Sequence, residues 1–173
     1  HAPWSYGDAS RVSAFWDANA QNRSKQYSLP RLGYRSVTLP QSGEFSLPVR
    51  VYIEDTDAGG IVYYVNYLKY FERARTEFMR SLGYEKPAFP GENLMLVVSE
   101  ANVSYRSPAR LDESIQVTAR ISAMGAATLT FHQTVMRGAT CLVEGQVTLA
   151  LVSSEQGRPR RLPANMRQKI TDL

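Results

Sequence analysis

Two carboxylates, Asp55 and Asp57, stand two residues apart in "DTDAGGIVYYVNY" (55–67), with Gly59, Gly60 and a tyrosine-rich apolar run close behind. A carboxylate can attack an electrophilic carbon or draw a proton from water, and both tasks need it ionised. The glycines lack side chains, so a ligand can approach the backbone there. A helix that begins just beyond them would offer unpaired N–H groups and a partial positive charge, which suit a developing oxyanion. Two plainer readings fit the same residues. Asp-x-Asp before Gly-Gly is also the composition of a turn held by Asx hydrogen bonds. It is also half of a calcium loop, although the oxygen ligands stop after Asp57, where an EF-hand needs more and a closing Glu.

The elements that must position these groups follow from periodicity. "PVRVYIE" (48–54) alternates Val49, Val51 and Ile53 against Arg50, Tyr52 and Glu54, which predicts a half-buried strand. Tyr67, Phe71, Ala74, Phe78 and Leu82 recur at helical steps and predict a helix over 66–82, with Asn66 as N-cap and Gly83 as stop. Seventeen residues at 1.5 Å each make a rod of about 26 Å, long enough to cross a small sheet. Four strands follow: "LMLVVSEANVSY" with a change of phase near Ser99 to Ala101 that predicts a bulge, "SIQVTARIS", "ATLTFHQTVM" and "CLVEGQVTLALV". A short helix is expected to start near Ala164. The pattern is α+β: one antiparallel sheet with one long helix on a single face.

Charge is uneven along the chain. Residues 1–40 carry +3, residues 41–155 carry −3 and residues 156–173 carry +4. Basic ends can meet phosphate, nucleic acid or anionic lipid, or simply be solvated. Nucleic acid ranks last, because the basic residues are not interleaved with aromatics on one strip. With two histidines and one cysteine, a His/Cys metal site is not expected. Cys141 reads as a buried strand thiol, and a lone cysteine fits a reducing cytoplasm. No apolar run reaches about 20 residues, so a membrane span is not expected, and the first residues do not read as the apolar core of a signal peptide. Residues 1–46 read as an extension or linker, with one short amphipathic piece that places Val12, Phe15 and Trp16 on one face.

"VRVYIEDTDAGGIVYYVNYLKYFERARTEFMR" closely resembles the signature of hotdog-fold acyl-CoA thioesterases. It is most like the YbgC-type, Tol–Pal-associated branch, with the 4-hydroxybenzoyl-CoA thioesterases as cousins. The likeness continues through "NVSYRSPARLDESIQVTARI" and "RPRRLP" and spans about residues 47–165. It implies a five-stranded antiparallel sheet wrapped around one long central helix, a domain over 47–165 and a basic tail over 166–173. It implies hydrolysis of an acyl-CoA thioester without metal or cofactor. Asp57 would be the catalytic carboxylate, as nucleophile or general base, and the Tyr64 backbone N–H would polarise the carbonyl. Gly59, Gly60 and Val65 would border the substrate.

Two departures stand out. The YbgC branch usually has His where this chain has Tyr64, and some relatives carry basic residues in the turn that here reads "SAMGAAT" (122–128). Arg158, Arg160 and Arg161 are the candidates to meet the CoA phosphates instead, or the acyl group is delivered by acyl carrier protein. The resemblance also implies a homodimer or homotetramer with the site between subunits. Asp55 is expected to brace the loop, His132 to lie on an outer face, and Glu72, Arg73, Arg75 and Glu77 to form ion pairs along the helix. A binding or adaptor module at the cell envelope or a membrane surface, without catalysis, is the rival reading.

Overall fold

The computed structural model describes residues 44–84, 88–89 (backbone only) and 93–173. The short helix expected around Val12 to Trp16 lies outside the described residues. The elements are β1 (Phe45–Arg50), a 3-10 turn (Ile53–Asp55), α1 (Asn66–Ser81), β2 (Ala88–Phe89), β3 (Leu94–Tyr105), β4 (Ser114–Met124), β5 (Thr128–Arg137), β6 (Thr140–Ser153) and α2 (Ala164–Thr171). The strands lie in the order β1-β4-β5-β6-β3-β2, every pair antiparallel. Five long strands therefore carry the sheet, as expected, and the two-residue β2 touches only Leu94 and Met95 at its edge.

The apolar stripe of α1 seats the helix on the sheet. Tyr70, Phe71, Ala74 and Phe78 are fully buried among inward residues such as Phe45, Ile115, Val117, Leu129, Phe131 and Val143. Phe78 meets Phe131 edge to face at 5.6 Å and Phe45 at 6.3 Å. Such pairs add directional preference to the area removed from water. The helix comes close enough to β6 that a Cβ on Gly145 would lie 2.8 Å from Phe71 Cε2 and 3.2 Å from the Asn102 carbonyl oxygen. Gly83 ends the helix as expected. It sits at φ +87°, its N–H reaches the Arg80 carbonyl, and Tyr84 N–H reaches the Met79 carbonyl. This double return satisfies carbonyls that the last turn leaves open.

Three local expectations need correction. β1 stops at Arg50 instead of running to Glu54, and Ile53, expected on the buried face, is 72% exposed. The Asp55 carboxylate accepts the Tyr52 N–H at 2.9 Å and so folds the chain into the 3-10 turn. Asn66 is not the N-cap. Val65 already has helical dihedrals, and the Asn66 side chain is engaged elsewhere. Cys141 is only half-buried, because the register of β5 against β6 slips between Val135 and Met136. The bulge in β3 does fall where the phase changes, between Val98 and Glu100.

α2 packs its Met166 and Ile170 into the core, while Lys169 Nζ donates to the Leu82 carbonyl and Arg167 Nη1 to the Gly125 carbonyl. No helix among the described residues is long and apolar enough to cross a membrane.

The close approach at Gly145 makes a direct prediction. Gly145→Ala should destabilise the fold by about 1–3 kcal/mol through overpacking, read as a lower urea midpoint at unchanged slope. A neutral result would mean that α1 does not press on β6 there.

Candidate active site

The loop from β1 to α1 is a small antiparallel ladder of its own. Thr56 bridges Val62, Asp57 N–H donates to the Ile61 carbonyl, and Tyr63 N–H donates to the Asp55 carbonyl. Ile61 also bridges Arg110, and Val62 N–H reaches the Ala109 carbonyl, which fastens the loop to the segment after β3. Asp55 is the buried brace that its place in the sequence predicts. Its carboxylate holds Tyr52 N–H, and its carbonyl accepts both Tyr63 N–H and the Asn66 side-chain amide at 2.8 Å.

The two glycines answer two different demands. Gly60 sits at φ +71°, a left-handed conformation that side chains disfavour, and its N–H closes the turn on the Asp57 carbonyl. Gly59 N–H donates to Asp57 Oδ1 at 2.8 Å, and a Cβ at Gly59 would come within 3.1 Å of that same oxygen. The turn therefore holds one oxygen of Asp57 through a backbone amide, while Oδ2 has no partner among the described residues. Asp57 is exposed in the single chain.

The helix start is pinned from below. Asn66 and Tyr67 are buried, and Tyr67 Oη accepts the Ala109 N–H at 2.8 Å. Burial raises the Tyr67 pKa, with the Ala109 N–H opposing. Burial, and then the nearby Asp55 carboxylate, push the Tyr70 hydroxyl above its ordinary value as well. That buried hydroxyl has no hydrogen bond of ordinary geometry among the described residues. Above these anchors, Asn66 N–H turns back to the Tyr63 carbonyl, whereas the backbone N–H groups of Tyr64 and Val65 have no acceptor among the described residues. The Tyr64 carbonyl accepts the Tyr105 hydroxyl at 3.3 Å.

Two clefts flank this start. One of about 270 Å³ is lined by Ile61, Val62, Tyr64, Tyr67, Tyr105 and the 106–108 segment. The other, of about 330 Å³, runs from Val65 and Leu68 along α1 to Arg75, facing Val98, Ala101 and Val147. Asp57, Gly59 and Gly60 sit at the tip of the loop and Tyr64 and Val65 at its helix end; Tyr64 lines the first cleft and Val65 the second, and Asp57 lines neither.

The loop does not bring them to Arg158, Arg160 and Arg161. Those exposed residues lie against the far end of β6, where Arg160 N–H meets the Leu151 carbonyl and Val152 bridges Pro159. Leu142, at the loop's end of β6, is nine residues from Leu151, roughly 30 Å along the strand. The arginines do adjoin the 122–128 turn that lacks basic residues of its own, since Leu162 N–H binds the Ala126 carbonyl.

His132 lies on the outer face as expected, with Nε2 2.9 Å from Glu144 Oε1. Arg106 also pairs with Glu144, and the two partners, His132 first, hold its carboxyl below the usual range. Among the four helix charges, Glu77 does pair, with Arg80, and Arg73 stacks over the Tyr70 ring. Arg75 is the correction. It is buried and hydrogen-bonds Gln133 Oε1 at 2.6 Å, with no carboxylate partner among the described residues. The alternation of β5 carries the missed signal. Gln133 falls on the inward face with Leu129, Phe131 and Val135, and a buried amide there needs a polar partner from the helix.

One antiparallel sheet with a long helix packed into its core is the hotdog arrangement. The family model of the thioesterase-like superfamily matches residues 51–170. The acyl-CoA thioester hydrolase YbgC of Escherichia coli is 39% identical over 123 residues, covering 70% of this chain and 92% of that protein. The acyl-CoA thioesterase YbgC of Haemophilus influenzae is 39% identical over 130 residues, covering 75% and 96%. The crystal structure of a probable thioesterase from Bartonella henselae superposes with a TM-score of 0.62 at 37% identity, over 70% of this chain and 99% of that one. The chain belongs to the thioesterase-like superfamily.

The brace is the part of the site that can be tested by stability alone. Asp55→Ala leaves the Tyr52 N–H without its acceptor and should cost about 1–3 kcal/mol. Asp55→Asn, which keeps an acceptor oxygen, should cost less. Thermal unfolding of both variants measures the difference, and equal losses would contradict the role assigned to the acceptor.

Proposed function

We propose that the protein hydrolyses acyl-CoA thioesters to free acid and CoA, with Asp57 as the catalytic carboxylate and the Tyr64 backbone N–H as the donor to the thioester oxygen. The observation that carries this reading is the pairing of two features in one loop: a carboxylate oriented by the Gly59 amide, and an N–H at a helix start with no acceptor of its own among the described residues. Charge builds on the carbonyl oxygen as the carbon becomes tetrahedral, and one well-placed donor contributes roughly 3 kcal/mol to that state. The free oxygen of Asp57 either takes a proton from the attacking water or itself bonds to the carbonyl carbon. In the first route the tetrahedral intermediate expels CoA thiolate, which takes up a proton, and leaves the free acid; in the second the CoA thiolate departs first, and water then hydrolyses the acyl–Asp57 anhydride to the free acid and restores the carboxylate. Only the backbone of Tyr64 is used, so the replacement of a His side chain by tyrosine leaves this step intact. Gly59, Gly60 and Val65 border the reacting group.

The relatives named YbgC are acyl-CoA thioesterases by name, and the family match spans the loop and the helix. The exposure of Asp57 in the single chain is the reason to place the working site between two copies. β3 is paired to β6 on one side, and on the other β2 covers only Leu94 and Met95, so the remaining edge is open among the described residues. An open edge is a template for a second strand. Tyr105, at the end of β3, and Tyr64, which touches it, are exposed, as are Tyr52 and Tyr63. In a homodimer, or a tetramer built from it, the second copy can exclude water from Asp57. It can also supply Arg158, Arg160 and Arg161, which lie too far off within one chain, to the phosphates of CoA or of a carrier protein's phosphopantetheine. The unpaired Cys141 suits a reducing cytoplasm.

Asp57→Asn should lower kcat by about a hundred- to ten-thousand-fold, the scale of a lost acid–base group, while acyl-CoA still binds. Thiol release and titration calorimetry on the same variant read the two quantities. Unchanged turnover would reject the mechanism. Abolished turnover with intact binding would separate it from a module that only holds acyl-CoA.

A further inference from the structure

Arg75 is a cation in an unusual place. It is 7% exposed, on the inner face of α1 with Phe71 and Phe78, and the one hydrogen bond of its guanidinium among the described residues is the 2.6 Å contact to Gln133. Gln133 is wholly buried, and its amide nitrogen is spent on the Phe71 and Thr118 carbonyls. The guanidinium is thus fixed in direction, but most of its five donors are unspent. Glu72, one turn back, is exposed, and its Oε1 accepts the Thr76 hydroxyl. Burial lowers the Arg75 pKa to about 10, with Glu72 acting against that, so the group stays charged at neutral pH. Glu72 is thus a nearby charge but makes no direct ion pair with Arg75, and a buried guanidinium is ordinarily matched by a carboxylate bonded to it.

The cleft of about 330 Å³ along α1 shows where that carboxylate would come from. Its lining includes Val65, at the helix start next to Tyr64, and Arg75, with Leu68, Val98 and Val147 as its apolar walls. Ten residues separate Val65 from Arg75, roughly 15 Å along the helix, and long helical side chains lean back toward the N-terminus and shorten that span. Lys69, Glu72 and Arg75 are its charged residues, a sum of +1.

We propose that this cleft takes acyl chains that end in a carboxylate, with the thioester at the helix start and the distal carboxylate on Arg75. The substrates are then ω-carboxyacyl thioesters of medium length. Apolar walls hold the methylene chain, and the guanidinium receives the planar anion through paired N–H bonds, a geometry that an ammonium does not reproduce. This inference rests on the thioesterase reading above and names the substrate class of the same site.

The test compares kcat/KM of the full chain for adipyl-CoA and suberyl-CoA with hexanoyl-CoA and octanoyl-CoA, by thiol release. The expected result is a preference of roughly ten- to hundredfold for the carboxyl-ended member of at least one length-matched pair, the scale of a hydrogen bond to a charged group. Arg75→Met should reverse that preference, and Arg75→Lys should keep part of it. The wild-type ratio decides the matter even where a variant fails to fold. Equal or better turnover of the methyl-ended chains overturns the carboxylate assignment and leaves the hydrolase reading standing, with Arg75 then held by Gln133 or by an acid of a second copy. No turnover of any of the four overturns both.

Discussion

The site depends on one buried acid that does no chemistry. Asp55 gathers the Tyr52 N–H on its carboxylate, and the Tyr63 N–H and Asn66 amide on its carbonyl. The first bond ends β1 and bends the chain; the other two set where α1 begins and which way its first turn faces. Without that knot the ladder from Thr56 to Val62 has no fixed base, and the helix start has no fixed height above the sheet. The cost of burying the carboxylate is partly offset by the Tyr52 N–H, a donor already in place.

Everything proposed about reactivity follows from what the knot leaves over. Asn66 spends its side-chain amide on the Asp55 carbonyl, and among the described residues the Tyr64 and Val65 amides stay open. Tyr67 and Tyr70 are buried in the first turn of α1, and the Tyr105 hydroxyl donates to the Tyr64 carbonyl. Asp57 is two positions further along the same ladder, turned by Gly59. A rigid arrangement of this kind does not have to reorganise as charge develops, which is the main advantage of a preformed donor over water. What the single chain lacks is cover. In the proposed dimer a second copy would supply it along the β3 edge that is open among the described residues.

Local regularities were legible in the sequence. The stripe of Tyr67, Phe71, Ala74 and Phe78 fixed the buried face of α1, Gly83 marked its end, and the phase change at Ser99 marked the bulge. Alternation misled at β1, because the pull of Asp55 on Tyr52 N–H is invisible to a period of two and overrides it before Ile53. Charge pattern misled at Arg75. It was expected to join ion pairs along the helix with Glu72, Arg73 and Glu77, yet Arg75 is four residues after Phe71 and three before Phe78, and therefore on the core face. Pairing it with Gln133 needed two elements 58 residues apart to be considered together. The tie of Tyr67 to Ala109 is of the same kind, a contact that no local pattern announces.

The claim at the centre is that the open amide at the start of α1 polarises the thioester carbonyl. Isotope-edited infrared difference spectroscopy of a bound acyl-CoA, carbon-13 labelled at the carbonyl, reads that bond directly in the Asp57→Asn protein. The account predicts a carbonyl stretch moved to lower frequency than in water, because the bond is weakened by the donor. A stretch at or above the solution value would mean that no donor engages that oxygen, and would contradict it.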